Sequence, residues 1–433
     1  MFEEKVTAPI SEPHAGKGFT FYLVLIWLIL EYIRPQELIP GLGVLRLSLV
    51  VTALLGVTVL LSGRLRFTDR PTKLFILFLA LMVPHVPLAT NNYWALWTLY
   101  AMCALFCVYL AITTSFQSLS TIKTFVAMWL GIHVFLGIYG IRSGGTGVGG
   151  FLGDENDFAL TLVMGIPYAY FTQYLTASKF KKLMLFGFIA LLTLAAMMTF
   201  SRGGFLALSA VWVYCWLFSR NRIRSGIVIG LLIVVGVMFA PESYHERIRS
   251  IWEQGASEGT TGEDRLYQWK IGLRMFAGNP VFGVGQENFP WRFSEYEGTD
   301  TVQGKSRAGR AAHSLYFTLL PELGLVGTLI FAMMASCVAR DLRLLARLSQ
   351  ARDSDDSDRQ TLKLHAQGIT RAMGGSFVAY FIGSAFISTL YYPHFWLLMA
   401  FVLALKKAYL AEIGDEEFEE VSAVTPVEQA STD

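Results

Sequence analysis

The chain has 433 residues, of which 54% are hydrophobic, 14% aromatic and only 16% charged, a balance too apolar for a soluble globular protein of this length. Lipid is therefore its main solvent. The net charge of +2 gives no bulk attraction to nucleic acid or another polyanion, so no nucleic-acid partner is expected and functional charge must come from local placement.

The polar segment 1-18 carries Glu3 and Glu4 and lacks the basic-then-apolar order of a secretory signal. It reads as a cytoplasmic lead-in to a retained helix. Apolar runs then recur at 19-33, 44-61, 72-90, 94-115, 120-140, 156-176, 182-200, 203-219, 225-240, 313-339, 368-390 and 393-410. Crossing hydrocarbon takes about 20 residues per helix, so these predict about twelve transmembrane helices in an all-α polytopic membrane protein. Pro84 and Pro87 interrupt the third run, and Tyr391-Tyr392-Pro393 reads as a tight turn between the last two. Cys103, Cys107, Cys215 and Cys337 all fall inside apolar runs without metal-type spacing, which predicts small buried hydrophobes, neither disulfides nor zinc.

Orientation follows from the short connections that hold Lys and Arg, because basic residues resist translocation. Arg64, Arg66, Arg70 and Lys73 follow the second run, Lys179, Lys181 and Lys182 the sixth, Arg220, Arg222 and Arg224 the eighth, and Arg340, Arg343, Arg347, Arg352 and Arg359 the tenth. Even-numbered connections and both termini are thus expected in the cytoplasm, with Arg34, Arg46 and Arg142 as exceptions. The chain divides into helices 1-9 over 19-240, a large periplasmic loop over 241-312, and helices 10-12 over 313-410 with a cytoplasmic loop at 340-367. An acidic cytoplasmic tail, 411-433, closes it. In the large loop Leu266, Trp269, Leu273 and Phe276 share one helical stripe within 263-276, ended by Gly278-Asn279-Pro280. Ser294 to Arg310 reads as mobile loop, 348-361 as a solvated linker, and the chain after Gly414 as disordered.

Four polar clusters lie at the outer ends of these runs. Ser201 can cap the eighth helix and Arg202 opens it; unpaired N–H groups, a partial positive charge and a guanidinium together suit a phosphate. A cap with a snorkelling Arg would look the same. Arg265 stands one turn before Trp269, where it could also form surface ion pairs with Glu263 and Asp264. His313 opens the tenth helix and can titrate near neutrality as a general base, although a lone His is often structural. Asp154, Glu155, Asn156 and Asp157 precede the sixth helix, where three acids suggest either a divalent metal or capping of the helix dipole. Gly144 to Gly150, just before, lacks the Lys and the context of a phosphate loop and reads as a flexible connection. His14, His85, His133, His245, His365 and His394 receive a structural or solvated reading.

The order of motifs resembles the O-antigen ligase and O-antigen polymerase superfamily, most of all the ligases. It runs Ser201-Arg202-Gly203-Gly204, Arg265 with Trp269, Asn279-Pro280-Val281-Phe282-Gly283-Val284-Gly285, then His313 and Pro321-Glu322-Leu323-Gly324-Leu325-Val326-Gly327. The resemblance implies a GT-C-like glycosyltransferase of the bacterial inner membrane, acting at the periplasmic face without metal or other cofactor and with inversion. It implies transfer of glycan from undecaprenyl pyrophosphate to a lipid A-core hydroxyl, with His313 as base and Arg202 and Arg265 as the pyrophosphate clamp. Asn156, Arg310 and Trp269 are expected acceptor or substrate contacts, and Lys305, Arg307 and Arg310 are available to acceptor phosphates. Two features depart from the family pattern: Ser314 stands where an Asn is frequent, and the Asp154 to Asp157 loop is unusually acidic, which leaves a metal role open.

An O-antigen polymerase or a protein O-oligosaccharyltransferase of the same superfamily would carry the same motifs. A transporter or lipid flippase predicts ionisable residues deep in the membrane and internal repeats, whereas here the candidate charges gather at one face. A noncatalytic scaffold would leave the His and Arg placement unexplained.

Overall fold

The computed structural model describes residues 17–65, 67–238, 261–298, 306, 308–350 and 357–424. His14, Arg66, His245, Lys305, Arg307, Arg352, Asp353, Asp355, Asp356 and the end of the acidic tail lie outside them. Among the described residues the chain is all helical, and every apolar run is a helix. In order these are α1 (Phe19–Tyr32), α2 (Pro35–Leu38), α3 (Leu47–Leu61), α4 (Arg70–Leu88), α5 (Asn92–Ser115), α6 (Leu119–Arg142), α7 (Glu155–Thr172) and α8 (Lys179–Met198). They continue as α9 (Arg202–Leu217), α10 (Arg222–Met238), α11 (Thr261–Gly278), α12 (Phe289–Glu297), α13 (Leu315–Leu348), α14 (Ser357–Gly383) and α15 (Pro393–Val424). Among the described residues six helices are long and apolar enough to cross a membrane: Leu42–Leu61, Arg70–Leu88, Asn92–Ser115, Leu119–Arg142, Lys179–Met198 and Leu315–Leu348.

Side-chain caps define where many helices start. Asn91, Ser118, Asp154, Ser178, Ser201 and Ser314 each accept a bond from a backbone N–H of the first turn, satisfying donors that have no partner inside the helix.

Contacts between connections sort the bundle into two ends. At one end Ser201 donates to Asn156 at 2.7 Å, the amide of Asn91 donates to Asn288 at 2.8 Å, and Thr318 donates to Ser388 at 3.0 Å. At the other end Lys407 pairs with Asp69, the amide of Leu119 donates to Glu412 at 2.7 Å, and Tyr170 bonds Ser225 at 2.6 Å. The connections after odd-numbered apolar runs meet one another, and so do those after even-numbered runs. The alternation read from Lys and Arg thus has a geometric counterpart in the bundle.

Several expectations are corrected. The prolines do not break α4, which is helical to Leu88. The last two runs are joined by a longer connection than a tight turn, through a 3-10 turn at Ser384–Phe386, where Thr389 bonds Ser384 at 2.7 Å and supplies the polar partners a buried connection needs. Ser294 to Glu297 is helix, not loop, because Glu297 is anchored by Tyr267 at 2.7 Å. Helix extends to Leu348 and resumes at Ser357 within the 340-367 stretch, and α15 runs past a kink at Gly414 to Val424. The cysteines are free, Cys215 and Cys337 buried as expected and Cys103 exposed.

The two glycine-bearing motifs of the large loop and α13 form one joint. Within α13 the chain leaves helical geometry at Gly324, with φ 60° and ψ −163°, and Gly283 has φ 74°. At this break Val284 N–H donates to the Pro321 carbonyl at 2.9 Å and Gly285 N–H to that of Glu322 at 2.8 Å. Leu325 N–H donates to the Pro280 carbonyl at 2.9 Å and Val326 N–H to that of Val281 at 3.1 Å. Helical bonds are exchanged for bonds between segments, so no buried backbone group need go unpaired. A Cβ on Gly324 would lie 2.4 Å from the Val281 carbonyl oxygen, and one on Gly283 would lie 2.4 Å from Glu322 backbone. Only glycine fits either place.

Candidate active site

The site is assembled at the end of the bundle where the odd-numbered connections meet. Ser201 accepts from Gly204 N–H at 2.9 Å and fixes the first turn of α9, which Arg202 opens. Phe200, just before, has φ 55°. Asn156 links this turn to the acidic loop: its Oδ1 accepts from the Ser201 hydroxyl at 2.7 Å, and its Nδ2 donates to Asp154 at 2.9 Å. Asp154 also accepts the Asn156 amide at 2.8 Å, so the acids cap α7 in the way the helix dipole favours. Among the described residues no three His, Cys, Asp or Glu side chains group as a metal site.

Arg265 comes from the first half of α11 and His313 from the turn before α13. The Trp269 indole N–H donates to the Ala312 carbonyl at 3.0 Å, and its ring stacks on Phe317 at a centroid distance of 4.7 Å. Trp269 is thereby the strut that holds His313 beside α11. His313 itself has φ 48°, a conformation that costs a non-glycine residue of order 1–3 kcal/mol and concentrates at functional sites. Arg310 is exposed and pairs with Asp264 at 3.3 Å, an ion pair of little stabilising value at the surface.

Electrostatics ties these groups together. Desolvation lowers the Arg265 pKa, with Asp154 and Glu155 opposing and the Arg202 charge adding to the shift. Desolvation also takes His313 below its ordinary 6.5; Arg265 and Arg310 push the same way, while Asp154 and Glu155 oppose. His313 is therefore largely a neutral imidazole at pH 7, able to accept a proton. Among the described residues neither Arg202 nor Arg265 has an ion pair or side-chain hydrogen bond. Two neighbouring guanidiniums with Asp154 and Glu155 near enough to influence Arg265, but no ion pair among the described residues, can receive an anion.

The sequence reading brought forward Arg202, Arg265, His313, Asn156, Arg310 and Trp269, and the structure gathers them at one end of the bundle. It missed the buried polar residues that tie the large loop to α4 and the start of α5. Gln286 and Asn288 are fully buried. Gln286 donates to the Met82 and Ala95 carbonyls at 3.0 and 3.1 Å and faces His85 Nδ1 at 3.1 Å. The signal available was an unbroken polar run, Gln286-Glu287-Asn288, directly after the glycine motif.

The family model of the O-antigen ligases matches residues 187–332, the stretch that contains Arg202, Arg265, His313 and both halves of the glycine joint. Over that stretch the chain is similar to the O-antigen ligases. No curated protein matches the chain. The matched stretch supplies both arginines and the histidine, while Asn156 and the acidic loop reach it from a helix that precedes it. The likeness to the O-antigen ligases thus covers the stretch that carries the site, in a chain whose described helices include six long and apolar enough to cross a membrane.

Proposed function

We propose that the protein is a glycosyltransferase that moves glycan from undecaprenyl pyrophosphate to a hydroxyl of lipid A-core at the periplasmic face of a bacterial inner membrane. In this reading the bundle is a GT-C-like fold of about twelve spans, the termini are cytoplasmic and the site opens to the periplasm. The observation that carries the reading is the pair of guanidiniums, Arg202 and Arg265, without an ion pair among the described residues, beside a histidine whose proton affinity desolvation and then Arg265 lower.

His313 takes the proton of the acceptor hydroxyl as its oxygen attacks the anomeric carbon. The bond from that carbon to the pyrophosphate oxygen breaks, its electron pair leaves with undecaprenyl pyrophosphate, and attack from the opposite face inverts the centre. Arg202 and Arg265 stabilise the departing charge as it develops, which fixed donors do well because they need no reorganisation. Asn156 and Ser201 hold the α9 turn that presents Arg202, and Arg310 stands at the open side for acceptor phosphates.

The test is transfer by purified protein in vesicles that contain a lipid-linked glycan and lipid A-core. His313→Ala should lower turnover by roughly 10²–10⁴-fold and Arg202→Ala by roughly 10²–10³-fold; full activity in either variant overturns the mechanism at that residue. Offering free glycan chains and a protein acceptor in competition separates ligase from polymerase and protein transferase. Cysteine labelling from outside the cell should reach position 306 and not position 222, and the reverse pattern overturns the orientation.

A further inference from the structure

Glu322 is 2% exposed and belongs to the Pro321-to-Gly327 motif, yet the mechanism above gives it no task. Its carboxylate collects donors from two separate segments. Oε2 accepts the Glu287 amide at 2.8 Å and the Tyr391 hydroxyl at 2.7 Å, while Oε1 accepts the Phe289 amide at 3.2 Å. Phe289 opens α12, so the carboxylate also sits at a helix N-terminus. Glu287 is in a left-handed conformation with φ 53°, which turns its amide toward Glu322.

Each segment leads to one reacting group. Glu287 and Phe289 continue into α12, which is tied to α11, the helix of Arg265, through Tyr267 with Glu297 at 2.7 Å and Asn279 with Tyr296 at 2.6 Å. Glu322 ends the short helical stretch that starts at Leu315 beside His313 and breaks at Gly324. Tyr391 belongs to the 384–392 connection, which meets that stretch through Thr318 and Ser388 and meets Arg202's turn where Phe386 packs on Gly203.

We infer that Glu322 is a positioning residue for the transfer reaction: its buried carboxylate locks the large loop, the broken half of α13 and the 384–392 connection together, and so sets the spacing between Arg265, Arg202 and His313. This rests on the functional reading above, since it assigns Glu322 to that same site. The break at Gly324 gives the half-helix an orientation independent of the rest of α13, and the carboxylate selects one. A carboxyl group suits the task because each of its two oxygens can accept a backbone N–H while one also bonds the Tyr391 hydroxyl. Glutamine would face at least one backbone N–H with its own N–H.

The experiment compares Glu322→Gln and Tyr391→Phe with the wild type in the vesicle assay, beside spin-label distances between the exposed positions 273 on α11 and 316 on the half-helix of α13. Tyr391→Phe removes a single donor and keeps the variant series informative should Glu322→Gln fail to fold. A displacement on the scale of 1 Å can cost about 10²-fold in rate, so Glu322→Gln should lose about 10–100-fold in kcat with donor KM little changed. Tyr391→Phe should lose less. In both, the distance distribution should broaden and the acid limb of the pH profile should move upward. Desolvation chiefly depresses His313, Arg265 on α11 and Arg310 in the same loop add to it, and Asp154 and Glu155 before α7 oppose them; pulling α11 away relaxes the part due to Arg265.

Wild-type kcat in folded Glu322→Gln overturns the proposal, as does lost activity with an unmoved limb and an unbroadened distance. The spin-label distances separate this failure from failure of the functional reading. If His313→Ala kept full transfer while the Glu322 variants broadened the distances, the lock would stand and the chemistry would fall.

Discussion

Gly324→Ala is the sharpest test of the joint between the large loop and α13. At φ 60° and ψ −163° the residue occupies a region open essentially to glycine alone, where another residue costs of order 1–3 kcal/mol. The added methyl would stand 2.4 Å from the Val281 carbonyl oxygen and 2.6 Å from the Gly283 nitrogen. Both are backbone atoms of the joint, so relief requires the segments to separate and the bonds from Leu325 and Val326 to weaken, at about 0.5–1.5 kcal/mol each. Together these give a loss of roughly 2–6 kcal/mol. Gly309→Ala is the control, because Gly309 also has a positive φ, 84°, but has nothing within 4 Å of an added Cβ. Equilibrium unfolding in mixed micelles measures both, and limited proteolysis of the large loop reports whether the joint has opened. If Gly324→Ala is no more destabilising than Gly309→Ala, the two motifs do not meet as described.

The remaining predictions concern the reacting groups. Because desolvation and Arg265 lower the His313 pKa, the active neutral form persists below pH 6.5 and activity falls as pH drops through the lowered value. In Arg265→Gln the residual activity should show its acid limb at higher pH, and an unmoved limb refutes the coupling. Trp269→Phe keeps a ring to stack on Phe317 but loses the bond to the Ala312 carbonyl; transfer should fall with stability reduced by about 0.5–1.5 kcal/mol, and unchanged turnover would remove the strut role. Asn156→Ala breaks the link between the acidic loop and the α9 turn, so donor KM should rise as in a mild Arg202 variant; an effect on acceptor KM alone would place Asn156 at the acceptor instead.

Elements of one dimension were legible in the chain itself. Composition set lipid as the solvent, the length of each apolar run set a helix, and the side on which Lys and Arg gather set an alternation that the contacts between connections reproduce. Arg202 and His313 stood out as a charged and a titratable residue beside helix starts, although a snorkelling Arg or a structural His would look the same there. Arg265 was legible only through its place in the motif order.

Tertiary structure alone decided which connections touch. No local pattern states that Asn279-to-Gly285 and Pro321-to-Gly327 bond to each other, because each glycine's conformation is imposed by the backbone of the partner motif. Nor does a buried Glu322 announce itself in a helix-like stretch, since its three donors come from residues 287, 289 and 391. Periodicity and charge act along the chain, and they fix what each segment buries. Hydrogen-bond satisfaction acts across it, where burial of a polar group obliges some distant segment to supply the partner.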